Sequence, residues 1–370
     1  MKVLHVTSEL DGGGVERLLL DYYLKLSSFV DFDFVVTSTK KGVLESRLES
    51  MGCHVFHIPK IRDGMRKHVK AIRTILNNGH YDIVHDHSGY KAFVSLKEAK
   101  RARIQTRIAH SHQARIPESF FHRLLRHFFA NITKLYANAF FSCGEEAAKW
   151  MWGKRFFKKR HGFIMTNAIN VEKFAFDNNK RILIRSKLCL DDKFVIGNIA
   201  RFVKQKNHKF ILDVFEIVCS KRNDAVLLLL GDGELKKDME EYSRLKGIND
   251  RVMFLGVKEN ANDYYNAMDL FFLPSLFEGL PVTLIEAQSN GLYSIVSSNI
   301  TDEIDFYGRI EYRCLHDSLT IWADSIVKNI NSRKQMNLCG SKYDIEIAYI
   351  SLLNEYRDLI ARFHKNKRVC

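Results

Sequence analysis

Residues 274–287 read Pro274-Ser275-Leu276-Phe277-Glu278-Gly279-Leu280-Pro281-Val282-Thr283-Leu284-Ile285-Glu286-Ala287. They follow the apolar run Leu270–Leu273, turn at Gly279 and enter a helical pattern just after Pro281. A short, wholly apolar run suits a strand covered on both faces. Proline suits the first turn of a helix, where its missing N–H is not needed. Strand, turn and helix in that order make half of a βαβ unit, and repetition of the unit makes a parallel sheet.

The same pattern runs in both directions from this segment. Before it, apolar runs suited to strands lie at Phe194–Ile199, Ala225–Leu230 and Val252–Phe254, and after it at Tyr293–Val296, with helical stretches between. The first part of the chain repeats the series at Lys2–Thr7, Phe32–Val36, His54–Ile58, Ile83–His85, Thr106–Ala109 and Ala139–Ser142. The restart after Asn167 predicts two Rossmann-like, doubly wound α/β domains, residues 1–170 and 171–350, facing across a cleft. An amphipathic helix and a basic tail at 351–370 are expected to pack back on the first domain. Ligands of such folds bind at the carboxyl ends of the strands.

With 370 residues, 46% hydrophobic, 27% charged and 4 prolines, the chain is outside the disordered and collagen-like classes. Seven cysteines without C-x-x-C spacing indicate neither a disulfide framework nor a zinc ribbon, so a reducing cytoplasm is expected. The opening MKVLHVTSEL has no basic, apolar leader pattern, and no run reaches the ~18 apolar residues of a spanning helix. The net charge of +14 calls for an anionic partner. It is concentrated: residues 1–170 hold 28 basic and 15 acidic side chains, whereas residues 171–350 hold 24 and 26.

Three strand ends offer chemistry. Gly12-Gly13-Gly14 follows the first strand and precedes a helix, so backbone N–H groups there can approach an anion or a sugar. The third glycine is misplaced for the dinucleotide G-x-G-x-x-G pattern. Arg201 and Lys206 lie five residues apart across the turn after Phe194–Ile199, a spacing that can bring two cations to one diphosphate. In the opening segment, Glu278 sits at the turn, Glu286 lies one to two turns into the helix, and the N–H groups of Gly279 and Leu280 are placed for phosphate oxygens. Each carboxylate can accept hydrogen bonds from sugar or ribose hydroxyls.

FEGLPVTLIEA, GNIARFVKQKN, the GGGVER loop and NAINVEKF at Asn167–Phe174 together resemble retaining glycosyltransferases of family 4, with the two-domain GT-B fold. The likeness is greatest to bacterial enzymes of capsule, exopolysaccharide or lipopolysaccharide assembly. It implies that Arg201 and Lys206 bind the diphosphate of a nucleotide-sugar donor and stabilise the leaving nucleotide. Glu278 then contacts the transferred hexose, Glu286 the ribose, and Gly13 and Gly14 the donor from the opposite domain. A histidine at a strand end is expected to face the donor sugar: His112, with His110 in reserve. UDP is favoured over GDP by family frequency. No cofactor or metal is expected, and no D-x-D cluster stands at a strand end. The acceptor implied is a growing lipid-linked saccharide at the inner face of the plasma membrane.

Two rival activities use the same residues. His85-Asp86-His87 and His110-Ser111-His112 form two H-x-H pairs that could serve a metal-dependent hydrolase. A sugar-nucleotide epimerase would share the fold. Nucleic-acid binding is disfavoured because the basic stretches carry no recognised module. The stretch SFFHRLLRHFFANITKLY at 119–136, with Trp150-Met151-Trp152 and Lys154–Arg160, has two readings. Its apolar side packs on the sheet with basic residues in water, or it seats the first domain on an anionic membrane surface.

Overall fold

The computed structural model describes residues 1–11, 13–114, 119–329, 333–334 and 337–364. The chain divides into two units, Met1–Ala168 with Lys342–Cys370, and Ile169–Ser341.

Among the described residues the first unit holds seven strands: β1 Lys2–Thr7, β2 Asp31–Val36, β3 Val55–His57, β4 Ile83–Asp86, β5 Thr106–Ser111, β6 Ala139–Ser142 and β7 Phe163–Ile164. Every pairing is parallel, in the order β3-β2-β1-β4-β5-β6-β7. The second unit repeats the plan with β8 Phe194–Ile199, β9 Ala225–Leu230, β10 Val252–Gly256, β11 Leu270–Leu273, β12 Tyr293–Ser297 and β13 Ile310–Arg313, in the order β10-β9-β8-β11-β12-β13. In each sheet the chain starts in the middle, winds to one side, then crosses back to the other. The reversal falls between β1 and β4, and between β8 and β11, where doubly wound sheets open a crevice at their carboxyl ends.

All eleven strands expected from sequence are present. The two that were missed, β7 and β13, are short edge strands. An edge strand is covered less fully than a central one, so its sequence need not carry a continuous apolar run.

The helix Ile345–His364 buries Ile345, Leu352, Tyr356 and Leu359 beside Val3 of β1 and Ile83 of β4. Each such side chain contributes about 1.5–3 kcal/mol on leaving water. Ile345 and Ala348 already lie in this core, so the second unit closes at Ser341 instead of the expected residue 350. The tail 365–370 lies outside the described residues.

Candidate active site

In the second unit, the turns that leave β8 and β11 are tied together. Leu276 N–H donates to Gln205 O (2.9 Å), and Asn207 Nδ2 donates to Pro274 O (3.1 Å). Asn207 stands in the left-handed region at φ 58°, which asparagine tolerates, and ends the tight turn Lys204–Lys206. These bonds bring Lys206 Nζ to 2.5 Å from Glu278 Oε1. Gln205 Nε2 donates to Phe277 O at 2.9 Å and to Glu278 Oε2 at 3.2 Å. Glu278 is buried, 7% exposed, and a carboxylate so placed needs these donors.

Arg201 is exposed and makes no side-chain hydrogen bond or ion pair among the described residues. Its segment is held from behind by a turn that sequence reasoning overlooked. Phe202 N–H donates to Asp232 O and Leu235 N–H to Phe202 O. At Gly231 (φ 134°) a Cβ would collide with Ala200 O, and at Gly233 (φ 154°) one would stand 2.6 Å from Phe202 O. The signal was present in the sequence, because Gly231-Asp232-Gly233 directly follows the apolar strand β9.

Glu286 lies on the helix Val282–Ser289 and is buried. Tyr265 Oη donates to its Oε2 at 2.6 Å, a positioning contact no spacing rule could find. Pro281 caps this helix without a side-chain acceptor, so Gly279 and Leu280 lead into first-turn N–H groups that no cap side chain satisfies. A cavity of about 410 Å³ opens beside Phe194, Arg181, Arg222 and Asp269. Phe194 begins β8, so this cavity lies at the opposite end of the strand from Arg201 and Lys206.

In the first unit, Gly13 and Gly14 open the helix Gly14–Leu26, whose amino end has no side-chain cap bond. Gly13 has φ −65°, so left-handed freedom is not what it supplies. A Cβ there would meet only the end of the Glu16 side chain, which can swing aside. Gly12 lies outside the described residues.

The two H-x-H pairs behave as the period-2 rule demands. His5 pairs across from His85, and His85 from Ile108, so His5, His85 and His110 share one sheet face. His87 and His112 extend their columns. His110 is fully buried, whereas His112 is partly exposed at the strand end. The rings form a stacked, hydrogen-bonded cluster: His5 Nδ1 to His87 Nε2 at 2.9 Å, His87 Nδ1 to His112 Nε2 at 2.9 Å, and His85 Nε2 to His110 Nδ1 at 3.0 Å. His85 Nδ1 reaches Tyr356 Oη at 2.7 Å. Burial holds His5 and His112 down at about 3, and pushes His85, His87 and His110 well below the ordinary imidazole value. All five are therefore neutral near pH 7. Asp86 faces the other way, bound by the hydroxyls of Ser88 and Ser95, so the H-x-H pairs are not joined by the carboxylate a hydrolase would use. The one D-x-D in the first unit's sheet, Asp31 and Asp33, opens β2, where Asp33 meets Lys2 (3.0 Å) and Tyr81 (2.8 Å).

The helix Phe120–Tyr136 reverses the packing that amphipathicity alone suggests. Arg126, Ala130 and Thr133 face inward, and Phe120, Phe121, Leu124, Phe128 and Leu135 face outward, Phe120 being 74% exposed. Arg126 is satisfied inside: its Nη1 donates to Trp150 O (2.8 Å) and its guanidinium lies 4.2 Å from the Trp150 ring. Met151 and Trp152 are core residues, which for these two favours packing over the membrane face. Lys154, Arg155, Lys158, Lys159 and Arg160 are exposed.

Two doubly wound parallel sheets define a Rossmann-like α/β class, and the Lys206–Glu278 pair lies at the switch point of the second. The family described as glycosyl transferases group 1 matches residues 179–313. A Bacillus subtilis protein named as a glycosyltransferase, EpsF, is 30% identical over 96% of this chain and 96% of its own. The UDP-Gal:alpha-D-GlcNAc-diphosphoundecaprenol alpha-1,3-galactosyltransferase of Escherichia coli is 26% identical, covering 80% of this chain and 79% of its own. Among solved structures, Anabaena HepE in complex with UDP and glucose superposes with a TM-score of 0.77 at 16% identity, over 97% of this chain and 100% of that one. The chain belongs to the group 1 glycosyltransferases, and its fold is GT-B.

Proposed function

We propose that this chain is a retaining, metal-independent hexosyltransferase of family 4, moving a sugar from a UDP-sugar to a lipid-linked saccharide in bacterial surface-polysaccharide assembly. The observation that carries the reading is the Lys206–Glu278 pair (2.5 Å) spanning the turns after β8 and β11, with Arg201 beside it in sequence. Glu278 takes hydroxyls of the transferred sugar, Glu286 the ribose, and Gly279 and Leu280 offer backbone N–H groups to phosphate. In the first domain, Gly13, Gly14 and the partly exposed His112 are the residues this reading assigns to the donor.

The acceptor hydroxyl attacks the anomeric carbon on the face from which UDP departs. The new C–O bond forms as the C–O bond to the β-phosphate breaks, and the departing phosphate oxygen takes the acceptor's proton. Negative charge grows on the diphosphate, where Arg201, Lys206 and the amino end of Val282–Ser289 supply fixed positive potential in place of a cation. UDP in the HepE complex, and the diphosphoundecaprenol named for the E. coli relative, support the choice of donor and acceptor.

The outward aromatic face of Phe120–Tyr136, flanked by exposed lysines and arginines, supports a peripheral seat on anionic lipid at the inner face of the membrane. Among the described residues, no helix is long and apolar enough to cross one. The test combines thermal-shift screening of UDP- and GDP-sugars with transfer to a polyprenyl-diphosphate-linked GlcNAc, and NMR of the anomeric configuration. Transfer with retention, persisting in excess chelator and lost in Glu278→Ala, is the expected result. An isomer formed from donor alone, or an inverted product, refutes the reading.

A further inference from the structure

The geometry points to a metal site in the first domain: we propose that His87, His110 and His112 bind one borderline divalent transition ion, Zn²⁺ in type, with a fourth position open. The three residues each offer a ring nitrogen, and these lie within 4.8 Å of one another. The site goes beyond the transfer chemistry, which calls on none of its ligands as a metal centre.

Three features beyond proximity support it. The first is a built outer layer. His110 Nδ1 is taken by His85 Nε2, and His87 Nε2 by His5 Nδ1, so two of the three ligands are oriented through their other nitrogen by a second imidazole. Metal-bound histidines are characteristically held this way. His85 is fixed in turn by Tyr356 Oη.

The second is an unpartnered atom. His110 Nε2 is buried and has no hydrogen-bond partner, although its ring is fully enclosed. In the tautomer whose Nδ1–H donates to His85, Nε2 is a buried acceptor without a donor, which is costly unless something electrophilic meets it.

The third is the proton count. Let His110 Nδ1–H donate to His85 and His87 Nε2–H donate to His5. His87 Nδ1 then carries a bare lone pair 2.9 Å from His112 Nε2. A His112 Nε2–H closes that pair as an ordinary hydrogen bond, so an ion bound there takes the place of one proton.

The chemistry of the donor set selects the ion. Neutral imidazoles without carboxylates favour zinc, cobalt, nickel and copper over magnesium or calcium. A tetrahedral ion with Zn–N of about 2.0–2.1 Å wants its nitrogens about 3.4 Å apart. The close His87–His112 pair must therefore open by about 0.5 Å and any wider pair close by at most about 1.4 Å. The neighbouring trio His5, His85 and His87 is wholly buried, whereas His112 is partly exposed and gives an ion a way in.

The test uses the full, tag-free chain, stripped with chelator, incubated with one equivalent of Zn²⁺ or Co²⁺, and desalted. Wild type is expected to retain about one ion per chain, and the Co²⁺ form to show the visible absorption of a four-coordinate site. Zn²⁺ should raise the melting temperature by about 5 °C. His87→Ala and His110→Ala should each lower retention at least tenfold. His112→Gln, at the partly exposed position and therefore least able to disturb folding, should do the same. His54→Gln, at an exposed histidine outside the cluster, should retain the ion. Retention below about one ion in ten chains by wild type, or full retention by folded His112→Gln, overturns the site and leaves a proton-bridged imidazole pair.

Discussion

Glu278→Gln separates the electrostatic and the hydrogen-bonding parts of the proposed donor site. The substitution keeps the shape of the side chain and one acceptor oxygen while removing its charge. In the native protein that charge stands 2.5 Å from Lys206 Nζ. A diphosphate oxygen on the same ammonium, at roughly 2.8 Å, would lie about 5 Å from the carboxylate. Two unit charges at that distance repel by about 3 kcal/mol at an effective dielectric of 20, and by about 0.8 kcal/mol in bulk water. Lys206 is 18% exposed, so its surroundings fall between these limits. Removing the charge should then strengthen UDP binding by about 1–2 kcal/mol, or about 5- to 30-fold. Uridine, which lacks the diphosphate, should bind unchanged. Transfer should nevertheless fall about 100-fold, because the carboxylate that accepts the sugar hydroxyls is gone. Titration calorimetry with UDP and uridine at fixed ionic strength, beside a transfer assay, reads all three quantities. A folded variant that binds UDP no better, or that gains equally for uridine, refutes the placement of the diphosphate on Lys206.

Gly231→Ala should cost the second domain about 2–4 kcal/mol in urea denaturation, since the new Cβ meets Ala200 O at a φ only glycine adopts easily; a loss under about 1 kcal/mol would show that the turn can yield. Burial lowers the His208 imidazole to about 4, with Lys206 adding to the effect, and neither ring nitrogen has a partner. Its folded pKa is depressed, so stability is fully present above the unfolded value near 6.5 and is lost as pH falls toward 4, by about 3 kcal/mol in all. His208→Phe should flatten that part of the pH–stability curve, and an unchanged slope would remove His208 as its source. Phe121→Ser combined with Leu124→Ser should weaken flotation with anionic vesicles at least tenfold while leaving the melting temperature within a degree or two, because both side chains already face water. Equal binding to neutral and anionic vesicles by wild type would discard the membrane face.

The strands and their alternation with helices were legible because they follow from apolar runs and local punctuation. Leu270–Leu273 followed by Gly279 and Pro281 specifies its turn without help from the rest of the chain. Partnerships between distant residues were not legible in the same way. Nothing in the spacing of Arg201 and Lys206 says that Lys206 already has a counter-ion in Glu278, 72 residues on. Gly231 and Ala200 meet only after the crossover from β8 to β9, and Tyr265 and Glu286 only across the strand β11. The helix Phe120–Tyr136 shows the limit of amphipathicity: its apolar stripe was visible, but the direction it faces is set by Arg126, which finds its acceptor and aromatic partner inside, at Trp150. The five histidines lie on one face because H-x-H is a period-2 repeat, and the register of β1 against β4 adds His5, which no motif would have joined to them.

The Lys206–Glu278 pair gives the proposed site a way to tell donor from product. Free UDP can engage Lys206 only by competing with a carboxylate that is already there, and it brings no sugar hydroxyl to donate to Glu278. A UDP-sugar brings the same diphosphate together with hydroxyls that can donate to Glu278, which stands buried with Lys206 and Gln205 as its hydrogen-bonding neighbours. The carboxylate therefore costs the product more than the substrate, which favours release of UDP after transfer. In Glu278→Gln this bias disappears, so the same change that tightens UDP should make product inhibition stronger. A product-inhibition constant that rises in the variant, with UDP competing less well against donor, would contradict the coupling.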